Sequence, residues 1–412
     1  MQKSFKILIS VYACSPNEGS EPGMGWNFVM ELSNFHELHV IVEKRKWEHH
    51  IKNYIKKHPR LINRIKFYFI DKKRNKFLRK IWPPSYYWFY NFWQKEAFKL
   101  AKQLDNKENF DLVHQLNMVG YREPGYLWKI NKPFIWGPIG GLENSPWRFL
   151  PSLGFKGFIF YSARNIINLW QRFFFIRPKK AAKRSNSILI SATPNTLKLA
   201  KSIWGKDSHV ICEIGCRENE NINYNKRNDN EILKIAWSGL HTPRKNLPLL
   251  LRALEKVNFK FELHILGDGK QNFNWKKLAK KLKLNQSCIW YGWVDKELTN
   301  RVYRSTHICC ITSISDLTST VTLEALSMGL PIICLNHCGF SHVVNDSCGI
   351  KIDVSTPKKA AIDISNALIK INEDERFRRN LCQGALLRAK DFSWDSKINK
   401  LNSIYNDLLK FK

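Results

Sequence analysis

Short apolar runs alternate along this chain with longer segments of helical period. Lys6–Val11, Leu38–Val42, Asp111–His114, Phe134–Trp136 and Ser187–Ser191 read as strands. A second series follows at Lys234–Trp237, Glu262–Leu266, Cys288–Tyr291, His307–Ile311 and Pro331–Leu335. These runs are mostly apolar, as expected for strands buried on both faces of a parallel sheet. Between them, Asn246–Val257 places Leu247, Leu250, Leu251, Leu254 and Val257 on one helical face. Thr320–Met328 reads as a short helix stopped by Gly329 and Pro331, and Trp394–Lys412 as an amphipathic one. The alternation predicts an α/β protein with parallel sheets. Residues 217–230, rich in Asn, Glu and Lys, lack apolar period and mark the expected boundary between two halves, each large enough for its own core.

Composition narrows the partners. The chain has 412 residues, with 67 Lys and Arg against 35 Asp and Glu, a formal charge of +32. At 44% hydrophobic it is a globular chain rather than a disordered basic tail. A cationic surface predicts an anionic partner: nucleic acid, anionic lipid or a phosphorylated substrate. The first apolar run is too short for a signal-peptide core. The longest charge-free run, 325–345, is interrupted by Gly329 and Pro331 and reads as helix, turn and strand rather than a membrane span. Ten scattered cysteines lack metal-type spacing and read as buried free thiols in a reducing compartment.

Candidate chemistry sits where strands end. Asp316-Leu317-Thr318-Ser319-Thr320 to Glu324 joins a buried strand to a helix start, where free N–H groups and the helix dipole favour an anion. The same pattern also fits an N-cap and a solvated Glu. Gly239 to Lys245 is a Gly turn followed by Arg244 and Lys245 at a helix start. There they oppose the dipole unless a diphosphate compensates, or stand simply as a solvated basic pair. Gly267-Asp268-Gly269 ends another strand and is either a turn or a place of close ligand approach. Gly19 to Gly25, including Gly23 and Gly25, resembles the Gly-rich turn before a Rossmann helix, without the dinucleotide spacing. Open α/β sheets bind ligands at such carboxyl ends.

Together these places resemble the family-4, group 1 retaining glycosyltransferases of the GT-B fold. Asp316 and Glu324 match the family's E-x7-E spacing as D-x7-E, and Ala325 to Ile333 match the run that follows. Residues 239–245 resemble its G-R-L-x-x-x-K loop, Gly267 to Gly269 its G-x-G-P turn, and Phe392-Ser393-Trp394 its closing F-S-W. The resemblance implies two Rossmann-like domains facing a central cleft. The expected division is an acceptor-side domain over 1–216, a linker over 217–232, a donor domain over 233–394, and a C-terminal helix (395–412) returning to the first domain. It implies transfer of a sugar from a nucleoside diphosphate to an acceptor hydroxyl with retained configuration, without metal or other cofactor. Asp316, Glu324, Arg244, Lys245 and His114 are the expected catalytic residues. Gly23, Gly25, Gly239, Gly267, Asp268, Leu317, Thr318, Ser319 and Thr320 are expected to bind donor. Trp136, Gly137 and Gly140 are expected on the acceptor side. The chain departs from the family pattern at Asp316 for Glu, at Thr318-Ser319-Thr320 for Gly-Phe-Gly, at Leu240 for Arg, and at Leu116 for the second His of His-x-His.

The charge is uneven. The first 200 residues carry a net +21 and the remainder +11. Two basic-aromatic stretches, 72–93 and 155–184, account for much of the excess. In the second, Arg164, Asn165, Asn168, Gln171 and Arg172 fall on one helical face and Ile166, Ile167, Trp170, Phe173 and Phe174 on the other, with Pro178 ending the helix. This pattern fits an interfacial helix on an anionic membrane, or core aromatics beneath a solvated basic face. The expected enzyme is cytoplasmic and peripheral on the inner face of the cell membrane, acting on a lipid-linked or envelope saccharide acceptor. A nucleic-acid-binding protein, an epimerase and a non-catalytic subunit are the competing readings. The basic segments carry no recognisable nucleic-acid module.

Overall fold

The computed structural model describes residues 3–217, 226–228 and 231–410. Most of the expected linker, 217–232, therefore lies outside the described residues. Two compact units divide the chain: 1–143 with 170–213 and 394–412, and 144–169 with 214–393. Residues 144–169 thus group with the second unit, whereas the sequence places them within 1–216.

The first unit is a parallel sheet of β1 (Lys6–Val11), β2 (Glu37–Glu43), β3 (Ile65–Ile70), β4 (Leu112–Asn117), β5 (Phe134–Ile139), β6 (Ser187–Ser191) and β7 (Ser208–Val210). The strand order is β3-β2-β1-β4-β5-β6-β7. Helices cover both faces, so β4 and β5 are buried at every position, polar residues included. Several of those polar groups are bonded to backbone, as burial favours. Asn117 donates through Nδ2 to the Ala13 carbonyl at 2.8 Å, and Gln115 through Nε2 to the Asn117 carbonyl at 2.8 Å. The C-terminal helix Trp394–Lys410 belongs to this unit. Its Trp394, Ile398, Leu401, Tyr405 and Leu408 recur at intervals of three or four and join the core under the sheet.

The second unit repeats the plan with β8 (Leu233–Ser238), β9 (Phe261–Leu266), β10 (Cys288–Gly292), β11 (Ile308–Ile311), β12 (Ile332–Leu335) and β13 (Gly349–Ile352), ordered β10-β9-β8-β11-β12-β13. All pairings are parallel. The carboxyl ends of β8 and β11, neighbours at the centre of this sheet, project the loops that carry Arg244 and Asp316. All ten cysteines are buried and free.

The segment 154–184 is two helices, Gly154–Phe174 and Ile176–Lys183. Pro178 does not end a helix. It sits in the first turn of the second one, where the missing N–H has no helical partner to lose. The stretch 72–93 divides by face: Lys72, Ser85, Tyr90 and Trp93 are buried, whereas Phe77, Ile81, Trp82, Tyr87, Trp88 and Phe92 stand exposed.

Candidate active site

After β8 the chain turns at Gly239, runs through a single 3-10 turn (Pro243–Lys245) and enters the helix Leu247–Leu254 by way of Asn246 at φ 51°. The left-handed Asn246 makes the sharp change of direction without a glycine. Lys245 is buried, and its stem packs on Gly239, where a Cβ would lie 3.3 Å from Lys245 Cδ. The backbone of this loop is fixed from β8 and the β11 end: Trp237 Nε1 donates to Thr312 Oγ1 at 3.0 Å, and Thr312 Oγ1 donates to the Lys245 carbonyl at 2.9 Å.

The result is a convergence of charges. Lys245 Nζ lies 2.5 Å from Asp316 Oδ2 and 3.4 Å from Ser319 Oγ. Arg244 Nη1 lies 3.2 Å from the same carboxylate oxygen and donates to the Ser315 carbonyl at 2.9 Å. Burial opposes ionisation of Asp316, yet the adjacent Lys245 and Arg244 outweigh it and hold the carboxyl below the usual range. Two cations on one anion leave a net positive charge at the start of the helix Thr320–Ser327, whose dipole adds to it.

The loop after Asp316 is fixed from behind. Gly339 N–H donates to the Leu317 carbonyl at 2.8 Å, and Asp316 N–H points at Cys338 Sγ at 3.3 Å. A Cβ on Gly339 would lie 2.4 Å from Thr318 Oγ1. Thr318 is buried, its carbonyl accepting the Thr322 hydroxyl at 2.8 Å. Ser319 takes φ 69°, and Thr320 is exposed at the first helical position. Glu324, on the same helix, pairs with Lys296 at the start of the helix Lys296–Ser305. The two carboxylates therefore have separate cationic partners.

The other expected residues fall into different places. Gly239 and Gly267 stack two turns on one another: a Cβ on Gly267, at φ 106°, would lie 2.3 Å from the Gly239 carbonyl oxygen. Asp268 serves its own turn, Oδ1 accepting from Gly269 N–H and Asn272 Nδ2 at 2.6 Å each, which hold its carboxyl below the usual range. Gly23 and Gly25 lie in the first unit, on the helix Ser20–Ser33. Packing accounts for both, since a Cβ would meet the Glu18 carbonyl oxygen at 2.4 Å or that of Ala13 at 2.3 Å.

His114 is not placed for catalysis. It is fully buried, its Nε2–H donating to the Gly137 carbonyl at 2.8 Å while Nδ1 accepts from the Tyr405 hydroxyl at 2.7 Å. Only a carbonyl lone pair faces Nε2, so the ring is the neutral Nε2–H tautomer, and burial pushes it down to about 4. Trp136 is likewise core, its ring stacked 6.0 Å from Trp204 rather than offered to a sugar. Gly137, at φ 131°, passes β6 where a Cβ would lie 2.2 Å from the Ile190 carbonyl oxygen. Gly140 bridges to Gly120, its N–H donating to the Val119 carbonyl at 2.7 Å.

Two residues at this site escape the motif. Lys296 becomes relevant only through its contact with Glu324, and nothing in the sequence joins positions so far apart. His241 is fully buried among Trp237, Trp275 and Trp290, with ring centroids at 5.7, 4.9 and 5.8 Å. Burial lowers its basicity, so the loop carries a neutral ring among indoles. Among the described residues, the one cluster of metal-type ligands is Glu37, His39 and Glu108 in the first unit, with Lys6 and Lys66 already beside the carboxylates.

Residues 218–386 match the family model of the group 1 glycosyl transferases. An uncharacterised glycosyltransferase of Methanocaldococcus jannaschii is 23% identical over 76% of this chain and 80% of its own length. A lipopolysaccharide 1,6-galactosyltransferase of Salmonella typhimurium is 24% identical over 40% of this chain and 46% of its own. In fold, a glycosyltransferase from Rickettsia africae superposes with a TM-score of 0.66 at 16% identity, covering 99% of this chain and 100% of that one. The Anabaena protein HepE, in complex with UDP-glucose, gives 0.62 at 14% identity, covering 99% and 100%. The chain thus resembles the group 1 glycosyltransferases, matches their family model over residues 218–386 within its second unit, and has the GT-B fold over its length.

Proposed function

We propose that the protein is a retaining glycosyltransferase that moves a sugar from a nucleoside diphosphate to a hydroxyl of a lipid-linked or cell-envelope saccharide. The observation that carries this reading is the convergence of Lys245 and Arg244 on Asp316, at the carboxyl end of the second sheet and inside the stretch that matches the family. A nucleotide-sugar diphosphate entering there meets two fixed cations and a helix N-terminus. Charge develops on the diphosphate as its bond to the anomeric carbon breaks, and preorganised donors aimed at that charge lower the barrier. The acceptor oxygen bonds to the anomeric carbon, and its proton passes to the departing phosphate oxygen. The scheme asks for no metal and no separate protein base.

Asp316 holds the two cations in place before the donor arrives and hydrogen-bonds a sugar hydroxyl afterwards. Glu324 leaves Lys296 to accept the ribose hydroxyls. The acceptor class follows the relatives' lipopolysaccharide chemistry and the basic-aromatic surface, which together favour the inner membrane face. Turnover measured across UDP-, GDP- and ADP-sugars tests the reading. Lys245→Ala is expected to lower turnover by about two to three orders of magnitude with fold retained, the cost of removing one fixed donor from a developing anion. Near-unchanged turnover in that variant sinks the assignment.

A further inference from the structure

The helix Gly154–Phe174 is packed inside out. Its buried positions are Gly157, Tyr161, Asn165, Asn168 and Arg172, three or four residues apart, so they form its inner stripe. Asn165 is held at both ends of its amide, Oδ1 accepting from Ser145 N–H at 3.0 Å and Nδ2 donating to the Ser145 carbonyl at 2.8 Å. One turn on, Asn168 Nδ2 donates to Asn144 Oδ1 at 2.8 Å. The outward stripe is Phe155, Ile159, Ile166, Trp170 and Phe173, each more than half exposed. A water-facing helix reverses this arrangement. Rotating the helix to bury its apolar stripe would break the asparagine ties and expose the buried Arg172, so the polar side fixes which face is offered.

The surrounding charge selects the occupant. No acidic residue occurs between Glu143 and Asp207. Lys156 and Arg164 stand exposed on the helix itself, and Lys179, Lys180 and Lys183 are exposed on the helix that follows. A second copy of the chain would bring like charge against like. A bilayer with anionic headgroups offers apolar depth for the stripe and counter-charge for its flanks together. No helix among the described residues is long and apolar enough to cross a membrane. We infer that the outward face of Gly154–Phe174 is an in-plane anchor that lies in an anionic lipid surface, apolar stripe down and basic flanks at the headgroups. The inference rests on this helix's own contacts, so it stands or falls apart from the reading of Lys245 and Asp316.

The test uses the full chain and co-sedimentation with vesicles of phosphatidylcholine, with and without phosphatidylglycerol. The wild type should favour the mixed vesicles. Combined Ile166→Ser, Trp170→Ser and Phe173→Ser should weaken that binding at least about tenfold, the loss expected when three buried apolar anchors are removed. Phe273→Ser with Trp293→Ser, equally exposed but elsewhere, should leave it unchanged. Because every native cysteine is buried, Ile166→Cys can be labelled selectively with a polarity-sensitive dye. Its emission should shift to the blue on adding mixed vesicles, whereas the same dye on Phe273→Cys should not respond, which keeps the test open if the triple variant fails to fold. Equal partition into both vesicle types, or an unshifted dye at position 166, overturns the inference. So does wild-type dimerisation in sedimentation equilibrium that the triple variant abolishes without vesicles. Turnover on a soluble acceptor, unaffected by the triple variant, separates this outcome from failure of the catalytic reading.

Discussion

At the scale of single residues, Asp316 and Glu324 share a motif but not an environment. Asp316 carries two cations and is largely buried, whereas Glu324 has one exposed lysine partner. Asp316→Asn strands Lys245 beside Arg244 without an anion and should cost about 3 kcal/mol of stability, read by denaturant titration. Glu324→Gln loses a solvent-screened pair worth under about 1 kcal/mol. Its expected effect lies instead on the donor, with KM rising about tenfold or more as a charged hydrogen-bond acceptor is removed. Equal stability losses in the two variants would refute the division of roles. His114 makes a different prediction. Its folded imidazole sits at about 4 because it is buried, against about 6.5 when unfolded. Between these values the unfolded chain binds a proton that the folded chain refuses. Stability is therefore complete above about pH 6.5 and declines toward pH 4, by roughly 3 kcal/mol from this group alone. Burial lowers His307 to about 4 as well, in the second unit. Thermal unfolding followed from pH 7 to 4 should show the decline, and His114→Gln should make it shallower while the His307 share remains.

At the scale of elements, every central strand was legible, whereas of the four edge strands only β10 was. Lys6–Val11 and Ser187–Ser191 match their predicted limits, and the other predicted strands match within one to three residues. The sequence does not reveal β3, β7 and β13, and all three lie at the edge of a sheet. A central parallel strand is covered on both faces and is therefore mostly apolar, which leaves a run that can be read. An edge strand is half relieved of that demand: β3 interleaves Lys66, and the three residues of β7 are all partly or fully exposed. The same limit explains the candidate site. Lys245 and Asp316 were legible as candidates because they sit in a spaced motif, and Arg244 because it adjoins Lys245 at a helix start. His114, Trp136, Gly23 and Gly25 occur at the right strand ends but are used for packing, and only side-chain direction separates the two uses. Gly25 supplies a direct check. Gly25→Ala places a methyl 2.3 Å from the Ala13 carbonyl oxygen and 2.6 Å from Val11 Cγ1, so the helix Ser20–Ser33 must shift off β1. The expected cost is about 1–3 kcal/mol, the range for overpacking a tight core. A melting temperature equal to wild type would show that the helix had room.

At the scale of the whole molecule, +32 of charge permits both nucleic acid and membrane as partners, and the placement of the aromatics separates them. Pure phosphate neutralisation leaves no energy source once salt screens it. The Debye length falls from about 10 Å at 0.1 M to about 3 Å at 1 M, and affinity for a charged polymer falls steeply with it. Apolar insertion is not screened, and excluding salts strengthens it. The exposed aromatics Phe77, Trp82 and Trp88, with the outward stripe of the helix Gly154–Phe174, provide that second source. Binding to random-sequence RNA should therefore be lost between low salt and 1 M. Protein bound to mixed phosphatidylcholine–phosphatidylglycerol vesicles should remain measurably associated through the same range, its salt slope shallower because only the basic flanks are screened. Parallel titrations with the two partners decide the point. Matching slopes would reduce the surface to a charge patch and return nucleic acid to equal standing, whereas a residual vesicle-bound fraction at 1 M identifies the apolar stripe as the part that holds.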